Sequence, residues 1–347
     1  MKATHNNILK IALAFGLAVF FLVACVKQAP DTPNPNQNSV LVIPEGFPEM
    51  SFPEGNEYTK ARWELGKKLF YDPILSVDNT ISCASCHKAN LAFADDKAFS
   101  PGVENRPGVR NAPSLANVGY HPYLLREGSV PTLEMQVLVP IQEHNEFAHD
   151  MLAIAAILKK DPEYIRMSRE AYDREPDPFM ITRSISNFQR TLISGNSPYD
   201  KFQYQGNTSA LSESEKRGMD LFFGTKANCS SCHGGFNLTD YSFQNNGLDS
   251  AYADRGRARL TGLAEDEAVF KVPSLRNVEV TAPYMHDGRF STLEEVIEHY
   301  NNGGAAHPNK NPILKPLNLT TTEKQDLVVF LKSLTDREFI ENMNFRE

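Results

Sequence analysis

The sequence predicts an all-α fold with long irregular loops, built as two tandem copies of one unit. Three observations predict it. Apolar residues recur at helical spacing, while strand signals are sparse. A five-residue pattern, C-x-x-C-H, occurs twice, beginning at Cys83 and at Cys229. The segments around the two occurrences match each other. The length, 347 residues, suits about two domains. With 41% hydrophobic and 22% charged residues, the composition is that of a folded protein and excludes disorder and fibre. Lys plus Arg number 35 against 43 Asp plus Glu, a net charge of −8 with no basic run. That balance excludes nucleic acid as the main partner.

The chain opens on a targeting pattern. Lys2 and Lys10 precede the apolar run Ile11 to Ala24, which meets Cys25. The run is short for a bilayer span but fits the h-region of a signal peptide. Leu22-Val23-Ala24-Cys25 resembles a bacterial lipobox, in which the cysteine is lipidated and becomes the first mature residue. Residues 1–24 are therefore expected as a lipoprotein signal peptide, with Cys25 lipidated; an ordinary cleaved signal is the alternative. Ala29 to Ser39 is rich in Pro and Asn and reads as a flexible tether. Residues 25–57 are expected as a lipid-anchored linker. The expected compartment is the periplasm or outer cell surface, with the membrane reached through the lipid alone.

Four cysteines remain, in Cys83-Ala84-Ser85-Cys86-His87 and Cys229-Ser230-Ser231-Cys232-His233. C-x-x-C-H is the attachment signature of c-type haem. Two thiols add to the two vinyl groups, and the next histidine reaches the iron from one side. A zinc site or a redox dithiol would not need His after the second Cys in both copies. Two covalently bound c-type haems are expected, with axial His87 and His233.

The copies match beyond the cysteines. Gly66-Lys67-Lys68-Leu69-Phe70 precedes the first motif, and Gly218-Met219-Asp220-Leu221-Phe222 the second. Ala112-Pro113-Ser114-Leu115 pairs with Val272-Pro273-Ser274-Leu275, and Thr132-Leu133-Glu134 with Thr292-Leu293-Glu294. Pro113 to Gly128 and Pro273 to Gly288 are both 15 residues. Each copy reads as a cytochrome c-like domain. Thr132 and Thr292 suit helix N-caps. Ile181 to Leu192 and Thr322 to Leu334 read as closing helices, and Ser194 to Leu211 as the linker. The domains are expected at 58–205 and 206–347.

The copies differ eight residues after the capping threonine, where the first has Pro140 and the second Tyr300. Proline cannot ligate iron; tyrosine can, as phenolate. If this helix lines the distal haem face, one haem is open and the other closed. Gln136 and Glu146 lie near Pro140 in sequence. A carboxylate and an amide over an open haem suit peroxide activation, while a solvated loop acid and an exposed helix residue are the plainer reading of the pair.

The chain resembles the bacterial di-haem cytochrome c peroxidases and their relative MauG, over residues 58 to 340. Arg110-Asn111-Ala112-Pro113, Thr281 to Gly288 and the spacing Gln136, Pro140, Glu146 look like family signatures. The resemblance implies that Glu146 is the acid/base and Gln136 the ligand-positioning amide over the N-terminal, peroxide-binding haem. It implies Ca²⁺ between the domains, held by Asn111, Thr281 and Pro283. Many members carry methionine as sixth ligand of the C-terminal haem; the resemblance places Tyr300 at that position, as in MauG, with Met285 as the competing ligand that reads as packing. Val103 stands where many members have a blocking histidine, so prior reduction is not required. Arg126 stands where the family has a tryptophan between the haems, and the only tryptophan, Trp63, lies elsewhere. Tyr120 and Tyr123 are the aromatic alternatives. His121, His144, His149 and His307 read as solvated.

The implied function is reduction of hydrogen peroxide to water, with electrons from a small c-type cytochrome or cupredoxin. One rival is a MauG-like oxidase that modifies a partner protein; Tyr300 and Val103 favour it and Arg126 opposes it. The other is a plain electron-transfer cytochrome, which Pro140 opposes. A homodimer is left open.

Overall fold

The computed structural model describes residues 40–347, which form one compact unit. The expected signal peptide, the lipidation site Cys25 and the tether before residue 40 lie outside the described residues. Among the described residues no helix is long and apolar enough to cross a membrane. The architecture is helix-rich with one short antiparallel sheet, in which β1 (Phe243–Gln244) pairs with β2 (Phe270–Lys271).

Each copy is built on a pair of crossing helices. In the first, α1 (Lys60–Tyr71) crosses a helix over Pro178–Arg190. In the second, Glu213–Phe223 crosses Thr321–Lys332. The repeated glycines make both crossings close. A Cβ on Gly66 would stand 1.9 Å from the Ser184 carbonyl oxygen, and one on Gly218 would stand 2.0 Å from that of Asp326. One turn on, Phe70 meets Phe188 at 5.1 Å and Phe222 meets Phe330 at 5.2 Å between centroids. All four rings are buried, each worth roughly 1.5–3 kcal/mol of transfer free energy. The closing helices therefore lie where their sequence period places them.

The helices after T-L-E do not match. The first is broken into α2 (Leu133–Gln136) and α3 (Leu138–Gln142), with Val137 between them. Pro140 has no N–H to give the Gln136 carbonyl four residues back, which accounts for the interruption. The second copy runs unbroken from Leu293 to Asn301. Both threonines cap as expected: Thr132 accepts from the Met135 N–H, and Thr292 forms a capping box with Glu295.

Three segments differ from expectation. Residues 40–57, expected as flexible linker, are packed as a strap over both copies. The Phe47 ring lies 4.9 Å from Phe236 and 6.2 Å from Tyr120, and the Arg276 guanidinium sits over it. Asn56 is fully buried and donates to Glu134. The expected linker from Ser194 to Leu211 is exposed only around 205–209. Its first part is a buried junction, because its polar groups are all engaged. Asn117 bonds both the N–H and the carbonyl of Ser194, and its repeat partner Asn277 bonds the Ser194 hydroxyl. Asp336 accepts from the Gly195 and Asn196 N–H groups, and Asp200 pairs with Arg276 at 2.9 Å through both oxygens. Finally, the chain end returns to the first copy, where Phe339, Ile340 and Phe345 join its core beside Phe93.

Candidate functional site

The first C-x-x-C-H forms a single helical turn over Cys83–Cys86. Burial and the neighbouring Cys86 push the Cys83 thiol up to about 12; burial takes Cys86 to about 11. Both stay neutral thiols. The His87 Nδ1 lies 2.7 Å from the Phe93 carbonyl oxygen, leaving Nε2 as the remaining ring nitrogen. Phe93 has a φ of 60°, which turns its carbonyl toward the ring. The second motif repeats the arrangement: His233 Nδ1 lies 3.3 Å from the Leu238 carbonyl, and Leu238 also has positive φ. The carbonyls of the repeat-equivalent Pro113 and Pro273 act on the two imidazoles in the same way. Burial lowers both histidines and favours the neutral, metal-binding form. Among the described residues no disulfide engages the four motif cysteines. Two thiols and an imidazole held by its other nitrogen fit a thioether-linked haem at both motifs.

Around the first motif the structure gathers Glu146 and Val103. The Glu146 charge acts on both Cys83 and Cys86. Its side chain reaches solvent, yet crowding by protein and the charge of Glu143 push its carboxyl up to about 7. The buried Val103 donates its N–H to the Glu146 carbonyl at 3.0 Å. Gly102 permits that approach, since a Cβ there would stand 2.0 Å from the Asn145 carbonyl oxygen. The Phe147 N–H donates to the Pro140 carbonyl, tying this loop to α3. Gln136 is half-buried on the last turn of α2, one turn from Pro140.

Around the second motif lies Tyr300. Burial pushes its phenol up to about 12; an Asn246 hydrogen bond opposes that rise, and the Cys229 and Cys232 thiols add to it. Asn246 also donates to the Met285 sulfur at 3.3 Å, and its carbonyl receives the His299 Nε2–H at 3.0 Å. The two ligand candidates thus share one amide, and Met285 is more than packing. Asn246 lies in a loop with no sequence pattern that could have singled it out.

The expected Ca²⁺ ligands fare differently. Asn111 sits beside the 281–288 loop, donating its N–H to the His286 carbonyl at 2.8 Å. Its side-chain oxygen accepts from Arg126 at 2.7 Å and its carbonyl accepts from Arg126 at 2.9 Å. Both Asn111 oxygens are thus engaged by one guanidinium. The solvated reading of His121 is corrected. It is packed edge-on to Tyr241, accepts from Lys271 at 3.2 Å, and burial holds it well below the ordinary imidazole value. Trp63 lies on α1 and donates its indole N–H to the Thr191 hydroxyl. Aromatic contacts do join the copies: Tyr120 meets Phe236 at 5.1 Å and Tyr123 meets Phe243 at 5.9 Å.

Residues 60–209 match the family model described as di-haem cytochrome c peroxidase. The chain is 33% identical to the methylamine utilization protein MauG of Methylorubrum extorquens, over 91% of this chain and 90% of that one. It is 33% identical to the cytochrome c551 peroxidase of Nitrosomonas europaea, over 78% and 79%. Among solved structures, a MauG-like protein associated with microbial copper homeostasis superposes with a TM-score of 0.83 at 35% identity, covering 87% of this chain and 97% of that one.

Proposed function

Since the chain belongs to the family of di-haem cytochrome c peroxidases and MauG, we propose that it reduces hydrogen peroxide to two waters, with two protons and two electrons, the electrons coming from a small c-type cytochrome or cupredoxin. One observation carries this reading: the two haem-binding clusters are alike on the histidine side and unlike on the other. Cys83 and Cys86 attach one haem and His87 holds it; Cys229, Cys232 and His233 serve the second. Bound haem iron supplies the centre at which the O–O bond breaks and the store for electrons.

The protein residues manage protons and access. Glu146, with a carboxyl near 7, takes the proton from the nearer peroxide oxygen and gives it to the leaving one. Gln136 orients the peroxide by hydrogen bonding. Pro140 and Val103 offer no donor atom, so this side stays open to a small ligand. Tyr300 would hold the second haem together with His233, and its phenolate form would favour ferric iron. Cys25 tethers the enzyme in the periplasm. The test is steady-state peroxide consumption by the two-haem protein and its E146Q variant with a reduced small cytochrome. Retention of wild-type turnover in E146Q would remove Glu146 from the chemistry.

A second reading, oxidation of a partner protein, is favoured by the relatives named MauG and by Tyr300. Arg126, where the family tryptophan stands, weighs against it. A covalently altered residue in a co-purifying partner, formed on peroxide addition, would support this second reading.

A further inference from the structure

We infer that the Arg126 guanidinium takes the place of a divalent cation between the two copies, so that this enzyme needs no Ca²⁺ there. Arg126 grips Asn111 twice, through Nε on the carbonyl and Nη2 on the side-chain oxygen. The planar fork of arginine makes such paired contacts, whereas Ca²⁺ needs six to eight oxygens around it. The 281–288 loop of the second copy offers its His286 carbonyl to the Asn111 N–H, and the Arg126 carbonyl receives the Lys271 N–H at 2.7 Å. One side chain of the first copy therefore holds Asn111 where it meets the 281–288 loop of the second.

The surrounding charges agree. A divalent ion needs carboxylates left over to balance it. Here Arg110 holds Glu127 and, through two bonds, Asp254, while Arg289 holds Asp287. Arg110, next to Asn111 in sequence, and Lys271, whose N–H the Arg126 carbonyl receives, are the nearby cations. A further cation would meet three positive side chains and no unpaired acid among these residues. An exchangeable metal is replaced by a fixed one, and the joint becomes indifferent to chelators. This inference is independent of whether the substrate is peroxide or a protein.

The test uses the full two-haem protein, dialysed against a calcium chelator. Calcium per chain is measured by mass spectrometry, and Ca²⁺ is then titrated while heat and melting temperature are followed. The wild type is expected to retain less than about a tenth of an equivalent and to melt at one temperature with or without Ca²⁺. Arg126→Gln, which removes the charge but keeps an amide, is expected to bind Ca²⁺ at least about tenfold more tightly than wild type and to melt higher in its presence. Arg126→Lys keeps the charge and should stay indifferent. One tightly held equivalent in the wild type, or a wild-type melting temperature lowered by chelator, would overturn the inference. So would an Arg126→Gln protein that folds and still ignores Ca²⁺. If Arg126→Gln does not fold, the two wild-type measurements decide alone.

Discussion

The two helices that follow T-L-E share a start and then part. Both begin on a capping threonine and bury the same leucine, Leu133 or Leu293. Eight residues past the cap, one carries Pro140 and is broken; the other carries Tyr300 and is continuous. A single residue type changes both the ligand chemistry and the backbone. The proline withholds a donor atom and interrupts the helix one turn after Gln136; the tyrosine brings a buried phenol under the influence of Cys229 and Cys232. Gene duplication supplies two equal sites, and function needs them unequal. Here the clearest inequality falls at one register position of one repeated helix.

The comparison breaks most visibly at Glu146. Glu146→Gln should lower peroxide turnover by about 10²–10⁴-fold with haem content unchanged. The wild-type rate should rise as pH passes upward through about 7, because the base form is then populated, and the variant should lose that limb. A second contrast lies at Glu134 and Glu294. Glu134 is half-buried and Glu294 exposed. Burial alone would raise Glu134, but two bonds from Arg190 outweigh it and hold the carboxyl at about 2, against an ordinary 4.5. A depressed acid stabilises the fold fully above about pH 4.5 and loses that contribution as pH falls toward 2. The contribution is roughly 3 kcal/mol. Denaturant melts at pH 7 and pH 3 should show Glu134→Gln flattening the acid loss, while Glu294→Gln changes stability by less than about 0.5 kcal/mol.

The helix crossings sharpen the likeness in turn. Gly66→Ala and Gly218→Ala both thrust a methyl against a carbonyl and should each cost about 1–3 kcal/mol by calorimetry. Widely different costs would mean that the crossings are not equivalent. The last contrast is read in Tyr300→Phe. Losing the phenolate should raise the potential of the second haem by at least about 59 mV, a factor of ten in a one-electron equilibrium. An unchanged potential, read by spectroelectrochemistry, would pass the ligand role to Met285.

What the sequence made legible was whatever repeats or is local. The helix before each C-x-x-C-H, the closing helices and the threonine caps all follow from spacing, and the structure contains each of these elements. Contacts between distant segments were not legible. Phe47 reads as part of a Pro-rich tether because nothing local says that Arg276 and Phe236 will cover it. The Ser194 junction reads as a linker because its polar residues look solvated until Asn117, Asn277 and Asp336 arrive from elsewhere. His121 looks like a loop histidine until Lys271 packs on it. Arg126 was visible as a departure, but its grip on Asn111 needs the fold.

The most direct measurement is electron paramagnetic resonance of the untreated ferric two-haem protein, before and after one equivalent of peroxide. Unequal sites give one high-spin and one low-spin signal, with the high-spin signal consumed at once and no prior reduction. Two low-spin signals indifferent to peroxide would mean that a ligand closes the Pro140 side as well, and the peroxidase assignment would fall.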